Sequence, residues 1–192
     1  MMLSQEEAPR RSDATRAAIL EAARHRFAAD GFQKATIRAI AADADIDPSM
    51  VMRYYGNKDG LFDAAVDVDL GLADIADIEP GRLGETLMRH ALTVWERSPT
   101  SEILLTLMRS SITDDRAIAK FQEIFARQIM PAVLSVGDPD DAPRRAGLLA
   151  SQVLGVAFTR YVLKLPPVVA MTADQLVAEI GPTIQRYLTS RP

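Results

Sequence analysis

Two basic side chains in the first third of the chain, Arg53 and Lys58, have the chemistry of anion binding. The planar fork of Arg53 can pair with a guanine edge or with a phosphate. Lys58 follows Asn57, a residue that caps helices well, so its ammonium would add to the anion-favouring N-terminus of a helix. A lone basic residue on a helix is more often solvated surface charge. The elements around these two side chains must therefore decide between the two interpretations.

Catalytic chemistry finds little support in the sequence. The chain has no cysteine and only two histidines, His25 and His90, which excludes thiolate chemistry and makes a multi-histidine site hard to build. We find no Gly-rich phosphate loop, Gly-x-Ser-x-Gly turn or metal-ligand cluster. Neighbouring carboxylates such as Asp114 and Asp115 fall where helix caps are expected. The sequence therefore predicts a protein that is not an enzyme and has no metal or cofactor.

Composition and charge leave the binding partner open. The 192 residues are 48% hydrophobic and 25% charged, an ordinary globular composition that can build a sizeable core. The net charge is −4, and residues 1–65 carry nine basic against ten acidic side chains, so only a local basic face could bind nucleic acid. No signal peptide is visible, and the most apolar run, 148–158, is too short to span a membrane. We expect a soluble cytoplasmic protein.

Helical periodicity runs through almost the whole chain, and four helices are predicted in its first third. A first helix over about 13–29 ends at Gly31, where glycine supplies a left-handed turn. Thr36 can cap a second, short helix. Asp47 and Pro48 can begin a third, which a longer fourth follows. This plan is typical of a helix-turn-helix head.

The remaining residues predict a second helical body. Helices are expected over about 82–97, 101–111, 113–128, 143–164 and 172–188. Pro131 is expected to kink or end the third of these, and Pro182 to bend the last or interrupt one of its hydrogen bonds. Thr172 and Gln175 form a capping box. The fold class is therefore all-α, a helix-turn-helix head followed by a helical bundle.

Four stretches of the head carry a specific resemblance. They are ATRAAILEAA at 14–23, FAADGF at 27–32, ATIRAIA at 35–41 and YYGNKDGLF at 54–62. In this order they resemble the DNA-binding head of the TetR family, bacterial regulators typified by the tetracycline repressor. The resemblance implies a flexible basic arm at 1–12, which contains Arg10 and Arg11. It further implies a DNA-binding domain at 13–62 and a ligand-binding and dimerisation domain at 63–192.

The same resemblance implies which side chains meet DNA. The helix beginning at Pro48 would lie in the major groove, with Val51 and Tyr55 facing the core. The side chains then implied to contact DNA are Thr36, Arg38, Ser49, Met50, Met52, Arg53, Tyr54 and Lys58. Tyr54 as packing alone remains an alternative.

The head also departs from the family pattern. Met52 stands where the family often has tyrosine, and Asp45 where it usually has glycine, although aspartate tolerates the left-handed conformation. With Asp43 and Asp47, this aspartate adds negative charge near the groove, which is unfavourable to phosphate.

The C-terminal body resembles the family's regulatory domain in layout, and its segments 152–157, 160–163 and 165–167 are similar to a subgroup common in high-GC actinobacteria. In the family, the last two long helices form a four-helix interface with those of a second subunit. The dimer-interface residues expected here are Gly147, Ser151, Gly155, Thr159, Ile180, Ile184 and Leu188. Close packing within one subunit is the alternative for the small residues at every fourth position.

Family members also hold a small apolar or amphipathic effector among their middle helices. The candidate lining residues are Met88, His90, Trp95, Met108, Phe121, Phe125 and Phe158. Such residues at helical spacing are more often plain core, and His90 can equally be exposed or satisfied by a local hydrogen bond.

The sequence as a whole is that of a ligand-responsive DNA-binding regulator. We expect a homodimeric repressor that binds a palindromic operator and is released by its effector. The alternative is a helical ligand- or protein-binding module without specific DNA binding, which would lack the steep salt dependence of phosphate contacts.

Overall fold

The computed structural model describes residues 11–72 and 75–189, which form helices and turns without a β-strand. The all-α prediction is thereby confirmed for this part of the chain. Within these residues, no helix combines the length and apolarity needed to cross a membrane. The fold divides into two compact units, which meet in the chain between Asp67 and Val68. The predicted arm at 1–12 lies outside the described residues up to position 10, and positions 11 and 12 already belong to the first helix.

The first unit is built from four helices, and local capping sets where three of them begin. They are α1 (Arg11–Lys34), α2 (Ile37–Asp43), α3 (Pro48–Tyr55) and α4 (Lys58–Ala65). Gly31 interrupts α1 with φ +72°, as expected of a glycine at this position. Thr36, Asp47 and Asn57 each accept a hydrogen bond from a backbone N–H of the helix that follows. The predicted caps of α2, α3 and α4 are confirmed.

The core of the head is a cluster of three phenylalanine rings. Phe27 lies 5.8 Å from Phe32 and 5.1 Å from Phe62, measured between ring centroids, and Phe32 lies 5.2 Å from Phe62. Ile19 and Val51 are completely buried in the same unit. Burial of Val51 leaves the opposite side of α3 for solvent, because a helix turns about 100° per residue.

Two tight turns place α3 between its neighbours. Asp45 has φ +54°, the left-handed conformation anticipated for it in the turn before α3. After α3, a Cβ on Gly60 would lie 2.3 Å from the carbonyl oxygen of Tyr55. The approach of α4 to the end of α3 therefore requires glycine at position 60.

The second unit contains seven α-helices in its described residues. They are α5 (Leu83–Glu96), α6 (Thr100–Ser110), α7 (Asp115–Ile124), α8 (Met130–Leu134), α9 (Ala142–Ala157), α10 (Pro166–Val169) and α11 (Ala173–Thr189). A π-helical turn at Phe125–Ile129 joins α7 to α8, and a second at Phe158–Val162 extends α9. The helix continues past Pro131, because the residues before it form a π turn instead of an α-helical turn. In an α-helical turn the proline ring would clash with a preceding carbonyl. The capping box is confirmed, because the side chain of Gln175 accepts from Thr172 N at 2.8 Å and Thr172 Oγ1 accepts from Gln175 N at 3.2 Å.

The closest helix contact of the body is between α5 and α11. A Cβ on Gly84 would lie 2.1 Å from the carbonyl oxygen of Gly181, so the two backbones almost touch. Ile184 and Leu188 of α11, 0% and 3% exposed, belong to the resulting core. This face of α11 is thus covered within its own subunit, and the expected place of the two residues in a dimer interface stays a prediction. Ile180 is half-buried and packs against the same core.

A buried arginine, Arg145, lies between the loop after α8 and the last turn of α11. The guanidinium of Arg145 donates to the carbonyl oxygens of Val136 at 2.5 Å, Asp138 at 2.6 Å and Leu188 at 3.3 Å. These carbonyls come from the loop after α8 and from the last turn of α11, where helical carbonyls lack intrahelical partners. Arg145 thus links the loop after α8 to the last turn of α11.

Candidate DNA interface and effector cavity

The outer face of α3 presents the side chains that the sequence singled out. Ser49, Met52 and Arg53 are exposed, Met52 by 45%, while Met50 and Tyr54 are half-buried. On the neighbouring elements, Thr36 and Arg38 are exposed and Lys58 is half-buried. This exposure leaves all eight side chains accessible to a ligand of the head, and their contacts with DNA stay a prediction.

Tyr54 brings two arginines together. The guanidinium carbons of Arg16 and Arg53 lie 5.0 Å and 5.4 Å from the centre of its ring. Both distances are within the range of cation–π attraction. The hydroxyl of Tyr55 also donates to the carbonyl oxygen of Arg16 at 3.4 Å, which fixes α1 against α3. A local basic surface therefore exists although the net charge of the head is not positive.

Arg16 is a candidate phosphate ligand that sequence reasoning missed. It lies in the 14–23 stretch of the resemblance, but its spacing from Arg53 along the chain gives no sign of proximity. Only the packing of α1 against α3 shows that both arginines share one tyrosine ring.

Lys58 has a structural role at the start of α4. Its ammonium donates to the carbonyl oxygens of Ala35 at 3.0 Å and Gln33 at 3.3 Å, and it lies 4.4 Å from the centre of the Phe32 ring. Because an ammonium has three N–H donors, one remains for a phosphate oxygen. Lys58 thus links the start of α4 to the end of α1 and keeps a donor for its predicted DNA contact.

Hydrogen bonds within the head engage two of the three aspartates near the groove. Arg26 donates to Asp43 at 2.7 Å, and this bond lowers the pKa of the Asp43 carboxyl while it raises the pKa of Arg26. Ser49 donates to Asp47 from its side chain and, at 2.8 Å, from its backbone N–H, and these bonds, the side-chain bond first, lower the pKa of Asp47. The Arg26 guanidinium offsets the negative charge of Asp43, whereas Asp47 keeps its charge as the cap of α3.

The body contains an apolar cavity of about 130 Å³. Its lining comes from α5, α6, α7, the first π turn, α9 and the connecting segment, which we define as residues 68–72. The residues lining it are Leu70, Leu72, Leu87, His90, Ala91, Val94, Trp95, Leu104, Phe121, Ile124, Phe125, Ile129, Leu149, Ala150, Val153 and Leu154. Only His90 and Trp95 carry polar side-chain atoms in this lining.

The cavity contains four of the seven predicted lining residues, His90, Trp95, Phe121 and Phe125. The other three predicted residues do not line this cavity. Met88 and Met108, only 1% and 7% exposed, are packed in the interior away from the cavity. Phe158 lies in the second π turn and does not reach it. The aliphatic lining was missed because leucine and valine at helical spacing do not distinguish a cavity wall from a filled core.

Tyr161 supports the part of the cavity wall that Trp95 forms. Trp95 stacks on Tyr161 with ring centroids 6.2 Å apart and planes 6° from parallel. The hydroxyl of Tyr161 donates to Glu96 at 2.8 Å. Burial first, and the Glu96 carboxylate second, raise the pKa of Tyr161 to about 12. This arrangement fixes the indole ring that forms part of the wall.

The small residues along α9 form a stripe that faces away from its own subunit. Ser151 and Gly155 are exposed, and a Cβ on Gly147 or Gly155 would meet no described atom within 4 Å. The hydroxyl of Thr159 donates to the carbonyl oxygen of Gly155 in its own helix at 2.8 Å. The stripe, Gly147, Ser151, Gly155 and Thr159, is therefore not explained by close packing within the described subunit.

An exposed recognition helix on a four-helix head, joined to a separate all-helical body, defines the class of helix-turn-helix transcription regulators. Comparison with known families agrees. Residues 19–65 match the family described as bacterial regulatory proteins, tetR family, and residues 81–188 match the tetracyclin repressor-like C-terminal domain. The chain belongs to the TetR family, DNA-binding transcriptional regulators and not enzymes, as the sequence resemblance predicted.

Individual relatives agree with this assignment. Over 90 residues the chain is 39% identical to the HTH-type transcriptional repressor SCO4008 of Streptomyces coelicolor, covering 44% of this chain and 46% of that protein, so the match spans about half of the relative. The crystal structure of the TetR-family regulator SCO0857 from Streptomyces coelicolor is 29% identical, with a TM-score of 0.69 over 96% of this chain and 99% of that one. NalD of Pseudomonas aeruginosa, the secondary repressor of the MexAB-OprM multidrug efflux pump, shares the fold at 18% identity, with a TM-score of 0.69 over 92% and 96% of the two chains.

Proposed function

We propose that this regulator is a homodimeric repressor that binds a palindromic operator and is released by a small, uncharged, apolar molecule held in the body. The observation that carries the proposal is the apolar cavity of the body in a chain whose α3 is exposed. The names of SCO4008 and NalD as repressors support the direction of control.

The cavity lining favours an uncharged ligand. A charged group placed among these side chains would lose its hydration, and the few polar atoms of the lining, on His90 and Trp95, could replace only a small part of it. The volume of about 130 Å³ is below the range of roughly 300–1,000 Å³ usual for drug-sized ligands. It is close to that of an engineered cavity of about 150 Å³ that binds benzene. A small aromatic or aliphatic molecule therefore fits first, and a larger one requires the wall to move.

The exposed stripe of small residues on α9 supports dimerisation. Small side chains let a second helix approach closely, and in a two-fold interface the same stripe serves both subunits. Such a dimer would place two α3 helices in successive major grooves, about 34–36 Å apart along the duplex. An effector that changes this spacing could alter operator affinity by about 5- to 150-fold.

Selection of operators from a pool of genomic DNA fragments tests the DNA half of the proposal. The purified full chain is incubated with the pool at moderate salt, and the retained fragments are sequenced. We expect an inverted repeat, with an affinity whose logarithm falls with the logarithm of salt by about 0.9 per phosphate contact. Enrichment of a single half-site would overturn the dimeric arrangement, and no enrichment by the folded protein would overturn specific DNA binding.

The genes beside the enriched operator then supply effector candidates. Each candidate is tested for release of the operator fragment, with a Trp95→Ala variant as a probe of the cavity. An effector bound there should lose affinity in the variant, whereas an equal response of both proteins would place its site elsewhere.

A further inference from the structure

The side chain of Gln128 binds the connecting segment in the manner of a neighbouring β-strand. Its amide nitrogen donates to the carbonyl oxygen of Val68 at 2.7 Å, and its amide oxygen accepts from the backbone N–H of Leu70 at 2.7 Å. Gln128 lies in the π turn at Phe125–Ile129, whose first and last residues line the cavity. A π turn inside an α-helix frequently marks a functional site.

His90 also binds the connecting segment. Its Nε2 lies 2.6 Å from the carbonyl oxygen of Leu70. A carbonyl only accepts, so Nε2 carries the proton in this bond. Both backbone groups of Leu70 are therefore bound by side chains of the body, its N–H by Gln128 and its carbonyl by His90. The side chains of Leu70 and Leu72 in turn form part of the cavity wall.

The connecting segment is the part of the described wall that is not helical. The helices around the cavity are held by their own backbone ladders and by the core, whereas this segment is held by three hydrogen bonds with two side chains and by the burial of Val68. A ligand larger than about 130 Å³ needs more room than the cavity offers, and residues 68–72 are the part of its wall without a helical backbone ladder. This segment also follows α4 of the head directly in the chain.

We propose that Gln128 and His90 are positioning residues that hold residues 68–72 as a latch on the cavity, and that a ligand too large for the closed cavity acts on the head by releasing this latch. The inference rests on the proposed effector site and names the residues through which that site is coupled to the chain leading into the DNA-binding head. It predicts that small and large apolar ligands bind with different consequences.

A series of alkylbenzenes from benzene to n-butylbenzene tests the latch on the full chain. Amide hydrogen exchange is followed by NMR at Leu70, with Leu107, buried in α6, as an internal reference. In the unaltered protein we expect butylbenzene to accelerate exchange at Leu70 about tenfold or more and benzene by less than about twofold, since exchange reports local opening. Exchange at Leu107 should not change with either probe.

The variant Gln128→Met removes both hydrogen bonds while it keeps the length of the side chain, and Gln122→Met, at an exposed position of α7, is the matched control. Because the latch no longer opposes expansion, butylbenzene should bind Gln128→Met about 5- to 10-fold more tightly relative to benzene than it binds the control. A purely structural role of Gln128 would not shift this ratio. Gln128→Glu, which can still accept from Leu70 but cannot donate to Val68, should be intermediate, and it serves if the methionine variant does not fold.

Operator binding completes the test. Butylbenzene should weaken the operator complex of the control by about 5- to 150-fold and that of Gln128→Met by much less. If both probes bind but neither Leu70 exchange nor the affinity ratio depends on probe size, the latch is overturned and the effector cavity stands. If neither probe binds, the effector site is overturned and the latch with it. If the latch opens without any change in operator affinity, its coupling to the head is overturned.

Discussion

At the scale of single residues, Tyr54 organises the basic surface of the head. Its ring attracts the guanidinium groups of Arg16 and Arg53 and thereby restricts two long side chains before DNA arrives. Ordering such side chains in advance reduces the conformational entropy lost on binding. The arrangement suits a head of almost neutral charge, since its few cations are held where α3 is exposed.

Arg53 and Lys58 should differ in what their loss does to DNA binding. Arg53→Ala should cost about 1–3 kcal/mol at particular base pairs and relax the sequence preference there, if its fork reads a guanine. Lys58→Ala should weaken all sequences alike and lower the salt slope by about one contact. Titrations of the operator and of single-base variants at several salt concentrations measure both effects.

Lys58 needs a stability control because it also binds the backbone carbonyls of Gln33, in the last turn of α1, and of Ala35, just after it. The melting temperature of each variant separates loss of the fold from loss of a phosphate contact. Intact binding by both variants would show that the head docks on DNA in another way.

Tyr161 should make the stability of the body depend on pH at alkaline values. Its pKa is about 12 in the folded protein and about 10 in an unfolded chain, so the folded state holds the proton more strongly. The resulting stabilisation is fully present below pH 10 and is lost as the pH rises towards 12. Urea unfolding at pH 9 and pH 11.5 should show a larger loss for the wild type than for Tyr161→Phe. Equal losses would mean that the folded protein does not raise the pKa of Tyr161.

At the scale of elements, the contact between α5 and α11 depends on two glycines. Gly84 and Gly181 face each other so closely that neither helix could carry a side chain there without moving the other. Gln185 strengthens the contact, since its side chain accepts from Gly84 N at 2.8 Å and donates to the carbonyl oxygen of Pro80 at 2.7 Å.

The substitution Gly84→Ala should therefore destabilise the body, whereas Gly81→Ala should not. Gly84→Ala places a Cβ against backbone atoms and should cost about 1–3 kcal/mol, as overpacking usually does. Gly81→Ala meets open space and should stabilise by about 0.4–1 kcal/mol through the unfolded chain. Chemical denaturation of both variants measures the contrast, and equal effects would contradict the helix crossing.

Arg145 stabilises the loop after α8 by donating hydrogen bonds to its carbonyl oxygens. It is 2% exposed, and its loss would leave several carbonyl oxygens without a donor. Each buried group left unsatisfied costs roughly 1–3 kcal/mol, so Arg145→Met should lower the free energy of unfolding by at least about 2 kcal/mol. Arg145→Lys should recover only part of this loss, because an ammonium lacks the fork that reaches several carbonyls. A variant with unchanged stability would rule out this bonding pattern.

At the scale of the whole molecule, the proposed dimer decides how the head can read DNA. One subunit contributes one α3, and two copies are needed for a palindrome. The stripe on α9 is the surface through which we propose that the copies meet, since the α11 residues Ile184 and Leu188 are already buried in their own subunit.

A large charged side chain on this stripe should separate the subunits without unfolding them. Gly155→Glu adds a Cβ where no described atom lies within 4 Å, so the isolated fold should tolerate it. We expect analytical ultracentrifugation to show a monomer and the salt slope of operator binding to fall by about half, since half of the phosphate contacts are lost. Gly81→Ala is a control on the same fold. A dimer that persists in Gly155→Glu would move the interface to another surface.

The sequence by itself determined the local features of this protein. The caps at Thr36, Asp47 and Asn57, the left-handed Asp45 and the capping box of α11 depend on residues within about three positions of one another, so side-chain type and spacing suffice to predict them. The apolar periodicity of the helices determined the all-α fold for the same reason, and the ordered motifs of the head were enough to indicate its family.

The tertiary structure decided everything that depends on which helix faces meet. The proximity of Arg16 to Arg53, the bonds of Arg145, the burial of Ile184 and the place of Leu70 in the cavity wall join residues far apart in the chain. A helical stripe of apolar residues predicts that a face is buried, but it does not identify what covers that face. Packing alone resolved this choice, because core, cavity wall and dimer surface all use the same few apolar and small side chains.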